Sequence, residues 1–248
     1  MIDPDLTGKR AIVAGGASGI GRAIAHALAS EGAAVVVVDH ASVIDPSGLL
    51  AITVELGEEE ASVAGVAEAV KLLGGLDLLV YTAAQAHHEP ALELTPAAWA
   101  ATLASNISGC VWTCREAARR MIAAGAGSIL VVGSTSLYTP AAGEAAYRAS
   151  KAALKAYAET LAVELALHGI RVNVLTPGAF RTPLTAHMTP DQRANLLREV
   201  PLEREGITDE LCATALLLLS DKLSPYTTGA EFVVDGGLRL RALSLGAT

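Results

Sequence analysis

The sequence predicts an α/β fold in which a doubly wound, seven-stranded parallel sheet carries helices on both faces. Short β-branched runs alternate with longer Ala- and Leu-rich segments of helical period along all 248 residues, which is typical of repeated βαβ units. The run at 128–132, Ser-Ile-Leu-Val-Val, is apolar enough to be a strand that is buried on both faces. No repeat or linker divides the chain, so we expect residues 1–248 to form a single domain.

The predicted elements follow in chain order. The apolar runs predict strands at 10–14, 34–38, 50–56, 77–81, 128–132, 171–175 and 231–234. The helical periods predict helices at 19–31, 60–73, 96–123, 147–168 and 208–220, and the sequence leaves open whether the third of these is broken. Only residues 40–49, with Pro46 and Gly48 among them, join the second strand to the third, so no full crossover helix is expected there.

The composition limits the partners and the location. The chain has 18 basic and 26 acidic side chains, a net charge of −8 and no cluster of Lys or Arg, which argues against nucleic acid and against a membrane surface. Residues 1–10 have no apolar core and no apolar run is long enough to span a bilayer, so we expect a cytoplasmic protein. The three cysteines fit no zinc-site spacing, so no metal is predicted, and Cys110 and Cys114 are expected to share a buried helix face.

A phenol and an ammonium group, Tyr147 and Lys151, stand four residues apart in a predicted helix. Residues at i and i+4 share one helix face, so both side chains can reach a single substrate oxygen. A fixed cation favours the phenolate, so Lys151 is expected to lower the pKa of Tyr147 toward the range useful for proton transfer. Ser134 follows the strand at 128–132. The carboxyl end of that strand would place the Ser134 hydroxyl near the same substrate oxygen. The alternative is a surface tyrosine beside a solvated lysine.

A glycine-rich turn that contains Gly15 and Gly19 stands between the first strand and the first helix. Because glycine has no side chain, the backbone of this turn can approach a pyrophosphate closely. The pyrophosphate would lie at the N-terminus of the first helix, whose dipole and free N–H groups favour an anion. The second strand ends in Asp39, a carboxylate that could accept hydrogen bonds from an adenosine ribose and would repel a 2′-phosphate. No Arg or Lys stands at Ser18 or His40 to pair with such a phosphate, so the sequence favours NAD over NADP.

The order and spacing of these features resemble the short-chain dehydrogenase/reductase family over nearly the whole chain. The features are the glycine turn, Asp39, Ser134, Tyr147 and Lys151, and Asn106 in Ser-Asn-Ile-Ser-Gly matches as well. The resemblance implies a Rossmann-type dinucleotide-binding and catalytic domain. It also implies hydride transfer between NAD and a secondary alcohol or ketone of the polyol, sugar or cyclic alcohol class. A homotetramer is implied too, with the Ala-rich faces of the helices at 96–123 and 147–168 buried against copies of themselves.

The resemblance assigns roles to single residues. The implied catalytic residues are Asn106, Ser134, Tyr147 and Lys151, with Asn106 holding a water in a proton relay. The implied cofactor-binding residues are Gly15, Ser18, Gly19, Ile20, Asp39, Glu55, Leu56, Ala83, Tyr147, Lys151, Pro177, Phe180 and Thr182. Glu55 and Leu56 would lie beside the adenine, and Thr182 and the backbone at 177–180 would meet the nicotinamide carboxamide. Substrate contacts are expected from 85–89 with His87, from Ser136 and Tyr138, and from a lid near 183–197.

Three places depart from the family pattern. Ala14 stands where a threonine is usual, so the glycine turn loses a hydroxyl that would tie it to neighbouring backbone. Residues 81–84, Tyr-Thr-Ala-Ala, replace Asn-Asn-Ala-Gly, and Glu55 replaces an aspartate. Tyr81 must either pack under the cofactor or turn into the flank of the sheet. Replacing Tyr81 by the family asparagine is expected to leave a folded enzyme with a small change in cofactor affinity.

Two other functions are compatible with the sequence. The same proton-transfer groups would serve an NADPH-dependent reductase of ketone or 3-oxoacyl substrates, which a cofactor titration distinguishes from an NAD enzyme. A non-catalytic nucleotide-binding regulator could keep the fold without turnover, and its only support is the unusual segment 81–84.

Overall fold

Seven parallel strands form one sheet in the computed structural model, which describes residues 3–40 and 49–240. The strands are β1 (Arg10–Ala14), β2 (Ala34–Asp39), β3 (Leu50–Thr53), β4 (Leu78–Tyr81), β5 (Gly127–Val132), β6 (Ile170–Pro177) and β7 (Glu231–Val234). Their order is β3-β2-β1-β4-β5-β6-β7, so the direction of winding reverses between β1 and β4. In such sheets ligands bind outside the carboxyl ends of the strands at this reversal.

The helices cover both faces of the sheet. They are α1 (Gly19–Ser30), α2 (Glu59–Leu73), α3 (Pro96–Leu103), α4 (Gly109–Ala124), α5 (Ala145–Leu165), α6 (Pro190–Arg198) and α7 (Asp209–Leu219). One core lies between the sheet and the layer of α2, α4 and α5, and the other lies between the sheet and the layer of α1 and α7. Within β1, Ile12 and Ala14 enter the first core whereas Ala11 and Val13 enter the second, as the two-residue period of a strand requires. The predicted fold class is confirmed.

Most predicted elements are present with boundaries that shift by a few residues. The helix predicted at 96–123 is interrupted, because residues 104–108 form a π-turn between α3 and α4. The strand predicted at 50–56 ends at Thr53, which pairs with Asp39 at the end of β2. Within α4 the sulfur atoms of Cys110 and Cys114 lie 3.8 Å apart and both residues are buried, as predicted. Most of the crossover at 40–49 lies outside the described residues.

Helix α6 has no counterpart among the predicted elements. All of its 9 residues keep part of their surface in solvent, so it has no apolar face that a periodicity could detect. It begins with a capping box, in which the Thr189 and Gln192 side chains bond to each other's backbone N–H groups, and Pro190 occupies the first turn. No helix in the two described ranges is long and apolar enough to cross a membrane.

Tyr81 turns into the flank of the sheet. Its side chain is fully buried in the core that contains α4, and its hydroxyl donates a 2.6 Å hydrogen bond to the carbonyl oxygen of Ser105. A Cβ on Gly109 would come within 2.6 Å of the Tyr81 hydroxyl oxygen, so the two residues fit each other closely. Burial raises the pKa of Tyr81 well above its usual value. Tyr81 is thus a core residue, and we now expect asparagine at this position to cost stability.

Candidate active site

The glycine turn approaches β4 so closely that it requires glycine. Gly15 has a φ of +82°, and a Cβ there would lie 2.3 Å from the backbone nitrogen of Ala83. The hydroxyl of Thr82 is 3.0 Å from the Ala14 carbonyl oxygen and 2.9 Å from the Gly15 carbonyl oxygen. The hydroxyl that is missing at Ala14 is therefore replaced from the opposite side of the turn. Two of the departures from the family pattern compensate for each other in this way.

We expect Thr82→Val to weaken cofactor binding by about 1 kcal/mol, the typical contribution of one hydrogen bond. Valine keeps the shape of threonine and removes only the hydroxyl that holds the turn. The dissociation constant, measured by titration of the cofactor, should rise roughly fivefold. Thr82→Ser is the matched control, since it keeps the hydroxyl and should keep most of the affinity. Equal affinities for the valine and serine variants would contradict this role for the hydroxyl.

The start of α1 and the end of β2 provide a suitable set of groups for a dinucleotide. Ser18 is the N-cap of α1, but its hydroxyl makes no capping hydrogen bond, which leaves N–H groups of the first turn for an anion. Asp39 is buried, and its two carboxylate oxygens accept hydrogen bonds from the backbone nitrogens of Ala17, at 2.9 Å, and His40, at 2.7 Å. The His40 Nδ1 also lies 2.8 Å from Oδ1. Oδ2 has a second lone pair, so a ribose hydroxyl could still donate to Asp39. These residues fit a nicotinamide cofactor.

The other predicted cofactor residues divide into two groups. Ile20, Pro177, Phe180 and Thr182 line the same cleft, and Thr182 lies next to Gly19, whose Cβ would be 3.4 Å from the Thr182 Cβ. Beyond β3, Glu55 is exposed, whereas the side chain of Leu56 is buried in the core and its carbonyl oxygen accepts the Ser62 hydroxyl at 2.6 Å. The Leu56 side chain therefore packs against the protein interior.

Ser134, Tyr147 and Lys151 meet at the carboxyl end of β5. Tyr147 lies in the first turn of α5 and makes a hydrogen bond with Ser134, and Lys151 follows one turn later. The Lys151 Nζ donates a 2.9 Å hydrogen bond to the carbonyl oxygen of Val132 and lies 5.7 Å from the centre of the Tyr147 ring. The structure thus brings together three of the four predicted catalytic side chains, and the surface alternative for Tyr147 and Lys151 does not hold.

Burial dominates the protonation of this group. It raises the pKa of Tyr147 to about 12, and the hydrogen bond from Ser134 opposes the rise only in part. It lowers the pKa of Lys151 to about 8, because a buried ammonium loses its hydration. The expectation that Lys151 lowers the pKa of Tyr147 is therefore wrong for this structure. The phenol holds its proton at neutral pH.

Asn106 occupies the π-turn, and its side chain makes three hydrogen bonds. Its Oδ1 accepts from the backbone nitrogen of Gln85 at 2.8 Å. Its Nδ2 donates to the carbonyl oxygen of Gln85 at 3.0 Å and to the Ser150 hydroxyl at 2.9 Å. Both amide hydrogens are thus used, while Oδ1 keeps a second lone pair to which a water could donate. The side chain ties the loop after β4 to α5, and the relay role of Asn106 stays a prediction.

A cleft of about 240 Å³ brings two of the predicted catalytic residues together with several of the predicted cofactor residues. Ser134 and Tyr147 line it together with Ile20 from the start of α1 and Thr182 from the segment after β6. Another part of the wall comes from that segment, with Leu184, Thr185, His187 and Met188, and the lid expected near 183–197 stays a prediction. A reacting group held at Tyr147 would therefore lie in the same cavity as the groups suited to a nicotinamide.

Two of the three predicted substrate residues lie outside this cleft. Ser136 lines it, but the hydroxyl of Tyr138 donates to Glu231 on β7. His87 lies with its Nδ1 3.1 Å from the Thr102 hydroxyl oxygen. His88, the next residue along the chain, lines the cleft instead.

Sequence reasoning missed two polar residues of the cleft wall. Glu144 and His187 line the cleft, and the His187 ring stacks on His88 with the ring centres 4.1 Å apart. The spacing of Glu144, three residues before Tyr147, was a usable signal, because residues at i and i+3 share a helix face. His187 falls within the segment 183–197, from which substrate contacts are expected, but no local pattern distinguishes it there.

Comparison with known proteins identifies the family. The profile of the family described as enoyl-(acyl carrier protein) reductase matches residues 15–239. A D-threitol dehydrogenase from Mycolicibacterium smegmatis is 35% identical over 251 residues, covering 95% of this chain and 95% of the relative. A galactitol 2-dehydrogenase (L-tagatose-forming) from Cereibacter sphaeroides is 36% identical over 244 residues, covering 94% of this chain and 95% of the relative.

A solved structure shares the whole fold. The gluconate 5-dehydrogenase from Burkholderia cenocepacia J2315, in complex with NADP and tartrate, superimposes with a TM-score of 0.90 at 29% identity. The match covers 97% of this chain and 98% of that chain. The protein belongs to the short-chain dehydrogenase/reductase family. It is an oxidoreductase that acts on secondary alcohols or ketones with a nicotinamide cofactor.

Proposed function

We propose that the protein oxidises a secondary hydroxyl of a polyol, sugar or cyclic alcohol with NAD and reduces the corresponding ketone in reverse. The observation that carries this proposal is the single cleft in which Ser134 and Tyr147 meet Ile20 and Thr182. The wall is apolar over most of its area but includes the polar side chains of Ser136, Glu144 and His187, which could bind hydroxyl groups of a substrate and would offer nothing to the acyl chain of a 3-oxoacyl compound. The intact set of proton-transfer groups argues against a regulator without turnover.

The residues of the chain position the substrate and move one proton. The bound nicotinamide supplies or accepts the hydride. Ser134 holds the substrate oxygen, and Tyr147 gives its phenolic proton to that oxygen when a ketone is reduced. In the oxidation direction the Tyr147 phenolate removes the hydroxyl proton from the alcohol. Lys151, whose Nζ is held by the Val132 carbonyl oxygen, would donate hydrogen bonds to ribose hydroxyls of the cofactor.

The buried carboxylate of Asp39 supports NAD as the cofactor. A 2′-phosphate beside Asp39 would face a like charge in a poorly hydrated place, and neighbouring residues Ser18 and His40 provide no guanidinium or ammonium group. The discrimination expected from an unpaired phosphate is about 1–3 kcal/mol. A preference for NADPH in the wild type would instead support the reductase of ketone or 3-oxoacyl substrates.

We expect Asp39→Asn to reduce the preference for NAD over NADP by about tenfold, because it removes the repelling charge. Asparagine keeps an oxygen that can accept the Ala17 N–H group, so the glycine turn stays in place. The ratio of kcat/KM for NAD and NADP measures the effect. Asp77→Asn removes a carboxylate that pairs with Arg10 at the other end of β1 and β4, and it is the control for a general loss of charge. An unchanged ratio in Asp39→Asn would contradict the assignment.

A screen of polyols, aldoses and cyclic alcohols with NAD and with NADP tests the proposal as a whole. The absorbance of the reduced cofactor reports turnover. We expect activity with at least one polyol or cyclic diol and a preference for NAD. Binding of NAD without turnover of any alcohol, or of any ketone in the reverse direction, would overturn the proposal. The homotetramer and the cytoplasmic location stay predictions.

A further inference from the structure

The cleft contains a buried hydroxyl that the proton transfer does not use. Ser136 is only 7% exposed, and within the described residues its Oγ makes no hydrogen bond. Buried polar atoms in folded proteins are nearly always paired, because an unpaired one carries the full cost of its lost hydration. Ser136 lines the cleft, and its backbone nitrogen donates to the Ser134 hydroxyl oxygen at 3.2 Å. The Oγ has almost no accessible surface in this rotamer, so a rotation of the Ser136 side chain would bring it to a ligand group next to the substrate oxygen held at Ser134, which would supply the missing partner.

A half-buried carboxyl group lines the same cleft. Glu144 directly precedes α5, one helical turn before Tyr147. Its charge contributes to the raised pKa of Tyr147, and His187 in turn opposes the rise that burial causes in the pKa of Glu144. Glu144 thus lies within electrostatic range of both side chains. A carboxylate in this position accepts hydrogen bonds from hydroxyl groups and offers nothing to an alkyl chain.

The third polar group is His187, in the segment after β6. Its Nδ1 lies 3.1 Å from the Leu184 carbonyl oxygen. A carbonyl oxygen only accepts, so Nδ1 carries the proton, and Nε2 is an acceptor when the ring is neutral. The ring lies 4.1 Å, centre to centre, from that of His88 in the loop after β4, so the two loops meet at the cleft wall. Both rings remain partly in solvent, at the rim of the cleft.

We propose that Ser136, Glu144 and His187 form a hydroxyl subsite, which binds a second substrate hydroxyl on the carbon next to the reacting carbon. The preferred substrates are then vicinal diols within polyols, sugars or cyclic diols. The second hydroxyl accepts a hydrogen bond from Ser136 and donates to Glu144 or to the Nε2 of His187. A substrate without this hydroxyl leaves the Ser136 Oγ unpaired, and sites built to bind a hydroxyl reject such analogues strongly. The inference rests on the proposed function and specifies its substrate class.

Matched substrate pairs that differ by one hydroxyl test the subsite. The pairs are 2,3-butanediol with 2-butanol and 1,2-cyclohexanediol with cyclohexanol, each assayed with NAD. In the wild type we expect kcat/KM to be at least about tenfold higher for the diol of a pair. Ser136→Ala and Glu144→Ala should each lower this ratio severalfold, and the double variant should bring it close to one. An effect of Glu144 on the protonation of Tyr147 acts on both members of a pair and cancels in the ratio.

Thermal unfolding separates this role from a structural one. The Ser136 hydroxyl has no partner in the free protein, so Ser136→Ala should keep or raise the unfolding temperature while it lowers the diol preference. Glu68→Gln, which removes a carboxylate from the exposed surface of α2, should leave the ratio unchanged. Equal use of diols and simple alcohols by the wild type, or an unchanged ratio in both alanine variants, would overturn the subsite and leave the proposed function intact. If the wild type turns over no member of either pair, the result contradicts both the subsite and the proposed function.

Discussion

Tyr147→Phe is expected to lower kcat by about 10²–10⁴-fold, the usual contribution of a general acid or base. Phenylalanine fills the same space and removes only the hydroxyl that bonds to Ser134. The phenol takes part in the chemical step alone, so the affinity for the cofactor should stay nearly unchanged. Turnover at saturating cofactor and a separate binding titration measure the two effects. Retention of more than a few per cent of the wild-type rate would contradict the assignment.

Tyr138→Phe is the matched control for this loss, because Tyr138 donates to Glu231 outside the cleft. The wild type should also show the protonation of Tyr147 in its pH profile. The pKa of about 12 means that the phenol keeps its proton through neutral pH. Ketone reduction needs the protonated form, so its rate should not fall as the pH rises toward neutrality, whereas alcohol oxidation should accelerate with rising pH.

Tyr81→Asn is expected to lower the free energy of unfolding by about 3–5 kcal/mol, the range for truncating a large buried aromatic side chain. The ring fills the core between β4 and α4, and asparagine would leave a cavity and bury an amide. Equilibrium unfolding in denaturant measures the loss. The Tyr81→Asn variant stays folded only if the free energy of unfolding of the wild type, typically about 5–15 kcal/mol, exceeds this loss.

Tyr81→Phe separates the ring from its hydroxyl. This change keeps the packing and leaves only the Ser105 carbonyl oxygen without its partner, so the loss should be about 1–3 kcal/mol. If Tyr81→Asn is as stable as the wild type but has a different affinity for the cofactor, Tyr81 is not a core residue. It would then pack under the cofactor, which is the other position that the sequence allows.

The strands and the catalytic set could be predicted because local sequence determines both. A strand that is covered on both faces must be apolar throughout, as in 128–132, so its composition identifies it. Tyr147 and Lys151 share a helix face by their spacing alone. The sequence does not decide whether the helix breaks between α3 and α4, because 104–108 contains no proline and only Gly109, directly after it, favours a kink.

The rest depends on contacts between segments that are distant in the chain. The stacking of His88 on His187 joins the loops after β4 and β6, and no local pattern encodes that meeting. The pKa of Tyr147 depends on how deeply the finished fold buries the phenol, which spacing cannot reveal. Helix α6 was missed for a different reason, because it has no buried face, although Thr189 and Gln192 form a recognisable capping box.

The π-turn at 104–108 sets the tolerance of this region to changes in chain length. A π-turn contains about one residue more than an α-helical turn, and an α-helix advances about 100° per residue. The wider turn absorbs this extra residue, so a one-residue deletion within 104–108 would convert the turn to α-helix and leave the faces of α3 and α4 nearly unchanged. A deletion within regular α-helix before Cys110 would instead rotate α4 by roughly 100° and turn Cys110 and Cys114 away from the core. A one-residue deletion is therefore better tolerated in the π-turn than inside α3 or α4.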